Sequence, residues 1–186
     1  MNRRTPAALA AVAALGVSVL AGGPALAATH HKPKPKPNTI ETHGTLKVKI
    51  NGYIQDAQSF FPGTLTVKSG TTVKLINKSQ GGAPHSLSLL KKSALPKTGD
   101  EIMSCPACGP LIAAHEADPS TGAVGKPLVD VGAPGFDTMG DTTTAGDSVF
   151  LPPKGKVTFK VTAKKGSTLT FFCAIHPWMQ GTIKVK

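Results

Sequence analysis

The chain has 186 residues, of which 40% are hydrophobic, and its 21 lysines and arginines outnumber its 10 acidic residues. This length allows one ordinary domain with additions, and this hydrophobic content excludes a wholly disordered chain. With 20 glycines, 16 prolines and only 5% aromatic residues, the composition favours short strands joined by turns over long helices.

The first predicted element is a signal peptide over residues 1–27. Arg3 and Arg4 precede an apolar run from Ala7 to Leu20, and Ala25-Leu26-Ala27 fits a small-x-small cleavage site. A membrane anchor is the weaker interpretation, because a membrane-spanning helix takes about 20 apolar residues and this run is shorter. We therefore expect a secreted, extracytoplasmic protein of the periplasm or cell-envelope space, with no transmembrane segment in the mature chain.

A Lys/Pro-rich linker is predicted over residues 28–39, where alternating lysine and proline favour an extended spacer. His30 and His31 fall close to the new N-terminus. A free amine, two backbone amides and an imidazole can bind Cu(II) in a square plane, so these histidines form a candidate copper site; a plain solvated tail is the alternative. The folded domain is predicted over residues 40–186.

Alternation of apolar and polar residues with period 2 dominates from residue 46 onward. It predicts about seven short strands in an all-β fold, an antiparallel β-sandwich. In one of these strands Ser86 and Ser88 are predicted on the face opposite the inward residues. The inward-facing sets are Leu46, Val48 and Ile50; Leu65 and Val67; Val73 and Leu75; His85, Leu87 and Leu89; Val157, Phe159 and Val161; Leu169, Phe171 and Cys173; and Ile183 and Val185.

A long acidic insertion interrupts this pattern between Gly99 and Asp147. It holds eight of the ten acidic residues and a single lysine, Lys126. Such a length is too great for an ordinary loop between two strands. We expect one short helix around Leu111 to Ala117 and an insertion that covers a sheet edge and offsets the basic charge elsewhere; a docking surface is the alternative.

Cys105 and Cys108 form a C-x-x-C pair inside the insertion. In an oxidising compartment this pair most simply closes a local disulfide and leaves Cys173 as the one free thiol. The segment from Met103 to Cys108 also resembles the Met-x-Cys-x-x-Cys motif of copper chaperones, although the strand pattern does not predict their fold. A second Cu(I) site is therefore the alternative to the disulfide.

The metal-binding pattern lies in the penultimate strand and the loop after it. Cys173, His176 and Met179 are spaced as C-x-x-H-x-x-M, so a thiolate, an imidazole and a thioether can surround one ion. His85 adds a second imidazole from a distant strand, and the alternation places it inward, as it does Cys173. Each residue alone would be an ordinary core residue, but two imidazoles, a thiolate and a weak thioether together suit copper as Cu(I) or Cu(II).

At these residues the sequence resembles the cupredoxins. The segments Ala83–Leu87 and Cys173–Met179 look like the family's two ligand segments, and Asn77 also fits the family pattern. The C-x-x-H-x-x-M loop, with Pro177 directly after the histidine, is most similar to amicyanin; plastocyanin and azurin have longer spacings there. Two departures are Ser86, where many members have Asn, and the insertion, which is foreign to the small members.

The resemblance implies a Greek-key sandwich with one type 1 blue-copper centre and outer-sphere electron transfer. It implies equatorial ligands His85, Cys173 and His176 and the axial ligand Met179. It also implies that the ring edge of His176 is exposed in an apolar patch with Pro84. We expect a monomer that exchanges electrons with redox proteins, including acidic ones, because the chain is basic.

Other functions fit the sequence less well. A multicopper oxidase would have histidines on both sides of Cys173, whereas Phe172 and Ala174 stand there, so we expect no enzyme activity. Binding to nucleic acid is not expected, because the lysines are scattered and not interleaved with aromatic residues. A protein that stores or delivers copper outside the cytoplasm is the alternative function, and transfer of the ion itself would distinguish it from a carrier.

Overall fold

The computed structural model describes residues 34–118 and 121–186. The predicted signal peptide, residues 28–33 of the predicted linker and the histidine pair His30 and His31 lie outside the described residues. Within the described part of the chain, no helix is long and apolar enough to cross a membrane.

Short strands make up most of the secondary structure. The strands are β1 (Thr39–His43), β2 (Leu46–Lys49), β3 (Tyr53–Asp56), β4 (Ser59–Phe61), β5 (Thr64–Val67), β6 (Thr72–Asn77), β7 (His85–Leu89), β8 (Ala117–Asp118), β9 (Ala123–Val124), β10 (Leu128–Val129), β11 (Ser148–Leu151), β12 (Lys156–Lys160), β13 (Thr168–Phe172) and β14 (Gln180–Val185). The helices are α1 (Gly99–Ser104) and α2 (Cys108–Ala114), with a 3-10 turn at Lys92–Ala94.

Two sheets pack face to face and enclose the main core. One sheet has the strand order β12-β6-β1-β4 and the other β10-β11-β7-β13-β14-β5. Both contribute to one apolar cluster, which includes Ile40 and Leu75 from the first sheet and Leu87, Phe171 and Ile183 from the second. The all-β sandwich predicted from the alternation is therefore confirmed.

The strand pairing differs from the prediction of a purely antiparallel sandwich at two places. Strand β1 runs parallel to β6, and β5 runs parallel to β14, whereas the other strand pairs are antiparallel. Strand β1 gave no alternation signal because Ile40 is its one apolar residue; Thr39, Glu41 and Thr42 are polar and yet buried, since the strand lies between β4 and β6.

The prediction that Leu46, Val48 and Ile50 face the core is wrong. Strands β2 and β3 form a separate two-stranded hairpin, in which these side chains are 51%, 63% and 85% exposed. Alternation shows that one face of a strand is apolar, but it does not show whether that face has a partner.

The insertion contains two short helices where the sequence predicted one. Helix α1 begins at a capping box, in which Thr98 accepts from the backbone of Glu101 and the Glu101 side chain accepts from the backbone of Thr98. Helix α2 covers part of the predicted span but ends earlier, at Ala114. The chain takes a left-handed conformation at Glu116, with φ of 49°, which a continuing helix cannot accommodate.

The strand pairing brings the two predicted ligand segments to one end of the sandwich. Strands β7 and β13 are antiparallel neighbours, with Phe171 opposite Leu89 and Phe172 opposite Ser88. The start of β7, where His85 lies, is therefore close to the end of β13, after which Cys173 follows.

Candidate metal centre

Three of the four predicted ligands meet at this end of the sandwich. The sulfur of Cys173 lies 3.9 Å from Nδ1 of His85 and 3.7 Å from Nδ1 of His176. The three side chains are buried, and their candidate donor atoms all lie within 4.8 Å of one another. Among the described residues, this is the one group of three or more histidine, cysteine and acidic side chains placed to hold an ion.

The spacing of the donor atoms fits a single metal ion. An ion about 2.3 Å from a sulfur and about 2.0 Å from a nitrogen, with about 120° between the bonds, separates the two donors by roughly 3.7 Å. The observed sulfur–nitrogen distances are 3.7 and 3.9 Å. A trigonal ion between these side chains therefore needs little movement of the protein, and the cluster fits a type 1 copper site.

The His85 ring is oriented by a chain of three polar side chains. Its Nε2 lies 2.9 Å from Oγ of Ser79, which donates to Oγ1 of Thr42, which donates to Oδ1 of Asn77. The direction of the chain is fixed because the amide nitrogen of Asn77 donates to the carbonyl of Ala83, so its oxygen must face Thr42.

This direction decides which nitrogen of His85 is available. Ser79 uses its proton toward Thr42, so its oxygen is left to accept a proton from Nε2 of His85. The neutral ring then carries no proton on Nδ1, which is the nitrogen that faces Cys173. The protein thus presents His85 in the tautomer that a metal requires.

The His176 ring is covered by Gln58, a residue that the sequence pattern did not single out. The amide nitrogen of Gln58 lies 3.2 Å from Nε2 of His176 and donates to Asp56 at 3.0 Å. Its Oε1 is buried and has no hydrogen-bond partner among the described residues. Because this nitrogen donates, Nε2 of a neutral His176 accepts and its Nδ1 carries the ring proton. A half-turn of the amide would supply an acceptor at Nε2 but would place Oε1 against the Asp56 carboxylate.

Burial controls the protonation of the three clustered side chains. It lowers the pKa of His85 to about 4, with the neighbouring His176 acting in the same direction, and it also lowers the pKa of His176. It raises the pKa of the Cys173 thiol. At neutral pH both imidazoles are uncharged and can bind a metal, while Cys173 must release a proton when a metal binds.

The fourth predicted ligand, Met179, is buried in the same apolar cluster as Cys173. Two backbone hydrogen bonds close the loop between them, from Cys173 N–H to the Met179 carbonyl and from Met179 N–H to the His176 carbonyl. The loop therefore holds Cys173, His176 and Met179 at one turn of the chain, and axial ligation by Met179 stays a prediction.

The prediction that the His176 ring edge is exposed is wrong, because the residue is only 9% exposed beneath Gln58. The exposed apolar side chains on its loop are Ile175 at 42% and Trp178 at 39%, and Trp178 packs edge-on against the His176 ring with 5.2 Å between ring centres. The sequence could not reveal this cover, since Gln58 is far along the chain from the loop.

No protein-family model and no curated protein matches the chain. Several solved structures of cupredoxins are similar to it. A purple cupredoxin from Nitrosopumilus maritimus is 16% identical over 80% of this chain and 98% of its own, with a TM-score of 0.41. An auracyanin from Roseiflexus castenholzii is 19% identical over 82% and 99%, with a TM-score of 0.40. A plastocyanin of a fern is 19% identical over 80% and 99%, with a TM-score of 0.37.

The predicted disulfide is confirmed: Cys105 and Cys108 are bonded, and Cys173 is the free cysteine among the described residues. The disulfide lies close to the metal-binding loop, since Sγ of Cys108 is 3.1 Å from the carbonyl oxygen of Ala174. Cys108 packs in a small apolar cluster with Leu111 and Phe172. The insertion is therefore anchored against the segment that carries Cys173.

Proposed function

We propose that this protein is a cupredoxin that carries single electrons through one type 1 copper centre. His85, Cys173 and His176 are the equatorial ligands and Met179 is the axial ligand. The observation that carries the proposal is the approach of Nδ1 of two uncharged imidazoles to one buried thiol at 3.7 and 3.9 Å. Bound copper would supply one-electron chemistry between Cu(I) and Cu(II).

The residues around the ligands support such a carrier by keeping the site nearly rigid. The polar chain that ends on Asn77 orients His85, and the backbone N–H of Ser86 donates to the Cys173 sulfur at 3.2 Å. His85 and Cys173 are 0% exposed, which keeps water away from the donors. A site that is dry and fixed before the metal binds needs little rearrangement when an electron enters or leaves.

The partner surface in this proposal lies beside the ligand loop. Trp178 and Ile175 are exposed there, and Pro84 borders the same end of the sandwich. The basic charge of the chain favours an acidic redox protein as the partner, through general electrostatic attraction. A monomer presenting this apolar patch can meet different partners in turn.

The proposed mature protein works outside the cytoplasm. Residues 1–27 act as the signal peptide, residues 28–39 as the linker, and residues 40–186 as the domain with its insertion at 99–147. The disulfide between Cys105 and Cys108 supports this location, because such bonds persist in oxidising compartments.

Adding Cu(II) to the purified metal-free protein tests the centre. We expect an intense visible absorption from thiolate-to-copper charge transfer, and Cys173→Ser should abolish it because a hydroxyl cannot replace the thiolate. The matched control is the double variant Cys105→Ser/Cys108→Ser, which removes two sulfurs and leaves Cys173, and should stay coloured. A colourless wild-type protein, or a coloured Cys173→Ser protein, would contradict the proposal.

A second measurement separates the carrier from the storage or delivery alternative. A carrier gives a reversible one-electron titration while its copper content stays constant. A delivery protein instead passes the ion to a metal-free acceptor at equilibrium, and its visible absorption then falls in step with the copper gained by the acceptor.

A further inference from the structure

A row of buried polar side chains lies on the face of β7 and β11 that the insertion covers. It consists of Ser86 and Ser88 on β7, Ser148 on β11, and His115 just after α2, each no more than 5% exposed. Consecutive members are within hydrogen-bonding distance: Ser86 and Ser88 at 3.0 Å, Ser88 and Ser148 at 2.6 Å, and Ser148 and Nε2 of His115 at 2.7 Å. We call this row the serine chain.

The end at His115 fixes the direction of the serine chain. Nδ1 of His115 lies 2.6 Å from the carbonyl oxygen of Lys126, which can only accept, so Nδ1 carries the proton. Burial lowers the pKa of His115, so the ring is neutral and Nε2 must accept from Ser148. Ser148 then accepts from Ser88, and Ser88 accepts from Ser86.

At the other end of the serine chain, Ser86 makes two hydrogen bonds with the segment that carries Cys173. The backbone N–H of Ala174 donates to Oγ of Ser86 at 2.9 Å, and the backbone N–H of Ser86 donates to the sulfur of Cys173 at 3.2 Å. Every hydroxyl proton in the serine chain therefore points away from the ligand loop, and every oxygen points toward it.

Building on the copper centre proposed above, we propose that His115, Ser148 and Ser88 are positioning residues that lower its reduction potential through Ser86. An oxidised centre carries one more positive charge than a reduced one. Hydroxyl dipoles with their oxygen ends toward it stabilise the oxidised state, and in a buried, low-dielectric setting aligned hydrogen bonds strengthen one another. The insertion thereby acts on the copper centre, because it contributes His115 and the Lys126 carbonyl.

The test compares reduction potentials of copper-loaded variants. Ser88→Ala and Ser148→Ala each remove one inner member of the serine chain and its two hydrogen bonds, so both should raise the potential. The double variant should raise it by no more than the larger single change, because one chain is broken only once. Ser148→Thr keeps the hydroxyl and should restore the wild-type value.

A matched control is Thr170→Val, which removes a buried hydroxyl from the same sheet at a position bonded to the Leu90 carbonyl and not to the serine chain. It should leave the potential unchanged. If the serine variants match this control, or if their potentials fall, the proposal is overturned. A purely structural role would lower stability in all variants without moving the potential selectively.

The metal-free protein gives a second readout that does not depend on copper. NMR of the ring nitrogens should show His115 protonated at Nδ1 and bare at Nε2; the opposite tautomer would overturn the direction of the serine chain. The two proposals fail differently. A wild-type protein without a copper couple overturns the proposed function and this tuning with it, whereas a blue wild-type protein with unmoved variant potentials overturns only the tuning.

Discussion

The two imidazoles that face Cys173 are held in different ways. His85 begins strand β7, and its Nε2 is hydrogen-bonded to a row of polar side chains that runs through Ser79 and Thr42 to Asn77. His176 lies on a loop, and its outer nitrogen faces Gln58, whose amide oxygen has no partner among the described residues. One candidate ligand is thus fully oriented without a metal, while the surroundings of the other keep one unsatisfied polar atom.

The two histidines should therefore respond differently to substitutions around them. A fully bonded polar network resists reorientation, because each member would have to lose a buried hydrogen bond. The Gln58 amide is held through its nitrogen alone while its oxygen is unpaired, so fewer hydrogen bonds fix the surroundings of His176. Substitutions in the polar chain that orients His85 should therefore lower the metal affinity and the stability. Substitutions beside His176 should mainly change how accessible the site is.

The largest expected effect comes from Asn77→Ala. Asn77 accepts from Thr42 and donates to the carbonyls of Ala83 and Pro152, so its loss leaves several buried groups unpaired. We expect the free energy of unfolding to fall by about 3 kcal/mol, measured by urea denaturation of the metal-free protein.

Thr42→Val is a more selective test than Asn77→Ala, because it interrupts the polar chain at Thr42 and leaves the Asn77 amide in place. We expect a loss of about 1 kcal/mol in stability and a copper affinity lower by about 10-fold to 100-fold, measured by competition with a chelator. An unchanged copper affinity would show that this polar chain does not orient His85.

Acidification should destabilise the metal-free protein in a defined range. The folded pKa of His85 is about 4, below its ordinary value of 6.5, so the unfolded chain binds protons more readily between these values. The stability from neutral His85 is full above pH 6.5 and is lost as the pH falls toward 4, by about 3 kcal/mol at most. Urea midpoints at pH 7.5 and pH 5 check this, and a His85→Leu variant should show a smaller change.

Gln58→Ala should have a smaller effect on stability than Asn77→Ala, and it should leave the blue absorption in place. It uncovers the His176 ring, which is otherwise 9% exposed, so we expect faster electron exchange with a small inorganic oxidant in stopped-flow measurements. Equal rates in the variant and the wild type would mean that the electron does not pass through the His176 edge.

Trp178→Lys should affect partner exchange alone. The change places a charge in the apolar patch beside the ligand loop but removes no ligand, so the absorption spectrum should stay nearly intact while exchange with a protein partner slows. Lys164→Glu, a change at an exposed position on the turn before β13, is a control for altered surface charge in general. If both variants slow exchange equally, the patch is not the docking site.

The smallest expected effect is that of Met179→Leu. The axial bond in such centres is weak, so the variant should keep its copper and its colour while the reduction potential shifts. Loss of copper from this variant would show that the thioether contributes more to binding than an axial ligand should.

The residues of the candidate site could largely be predicted, because they follow from local sequence spacing and from the alternation along β7. The spacing of Cys173, His176 and Met179 places three donors on one loop, and the alternation along β7 predicted that His85 faces inward, which its complete burial matches. The disulfide between Cys105 and Cys108 is also local, since only two residues separate the cysteines.

Other features depended on groups that lie far apart in the chain. The apolar faces of β2 and β7 look alike in the sequence, yet one is exposed and the other is buried, because a face is covered only where another element packs on it. Ser86 and Ser88 were predicted to face away from the core, and they do, but the insertion buries them against His115. Gln58 gave no sequence signal at all.

The sequence by itself determined the pattern of short β-strands, the candidate donor atoms and the loop that carries three of them, since these follow from periods of a few residues. The tertiary structure decided which surfaces are dry, which nitrogen of His85 is free and which side chain covers His176. The physical reason is that burial and hydrogen-bond direction belong to the whole set of neighbours. A serine or a glutamine acquires a fixed orientation only when distant strands and the insertion surround it.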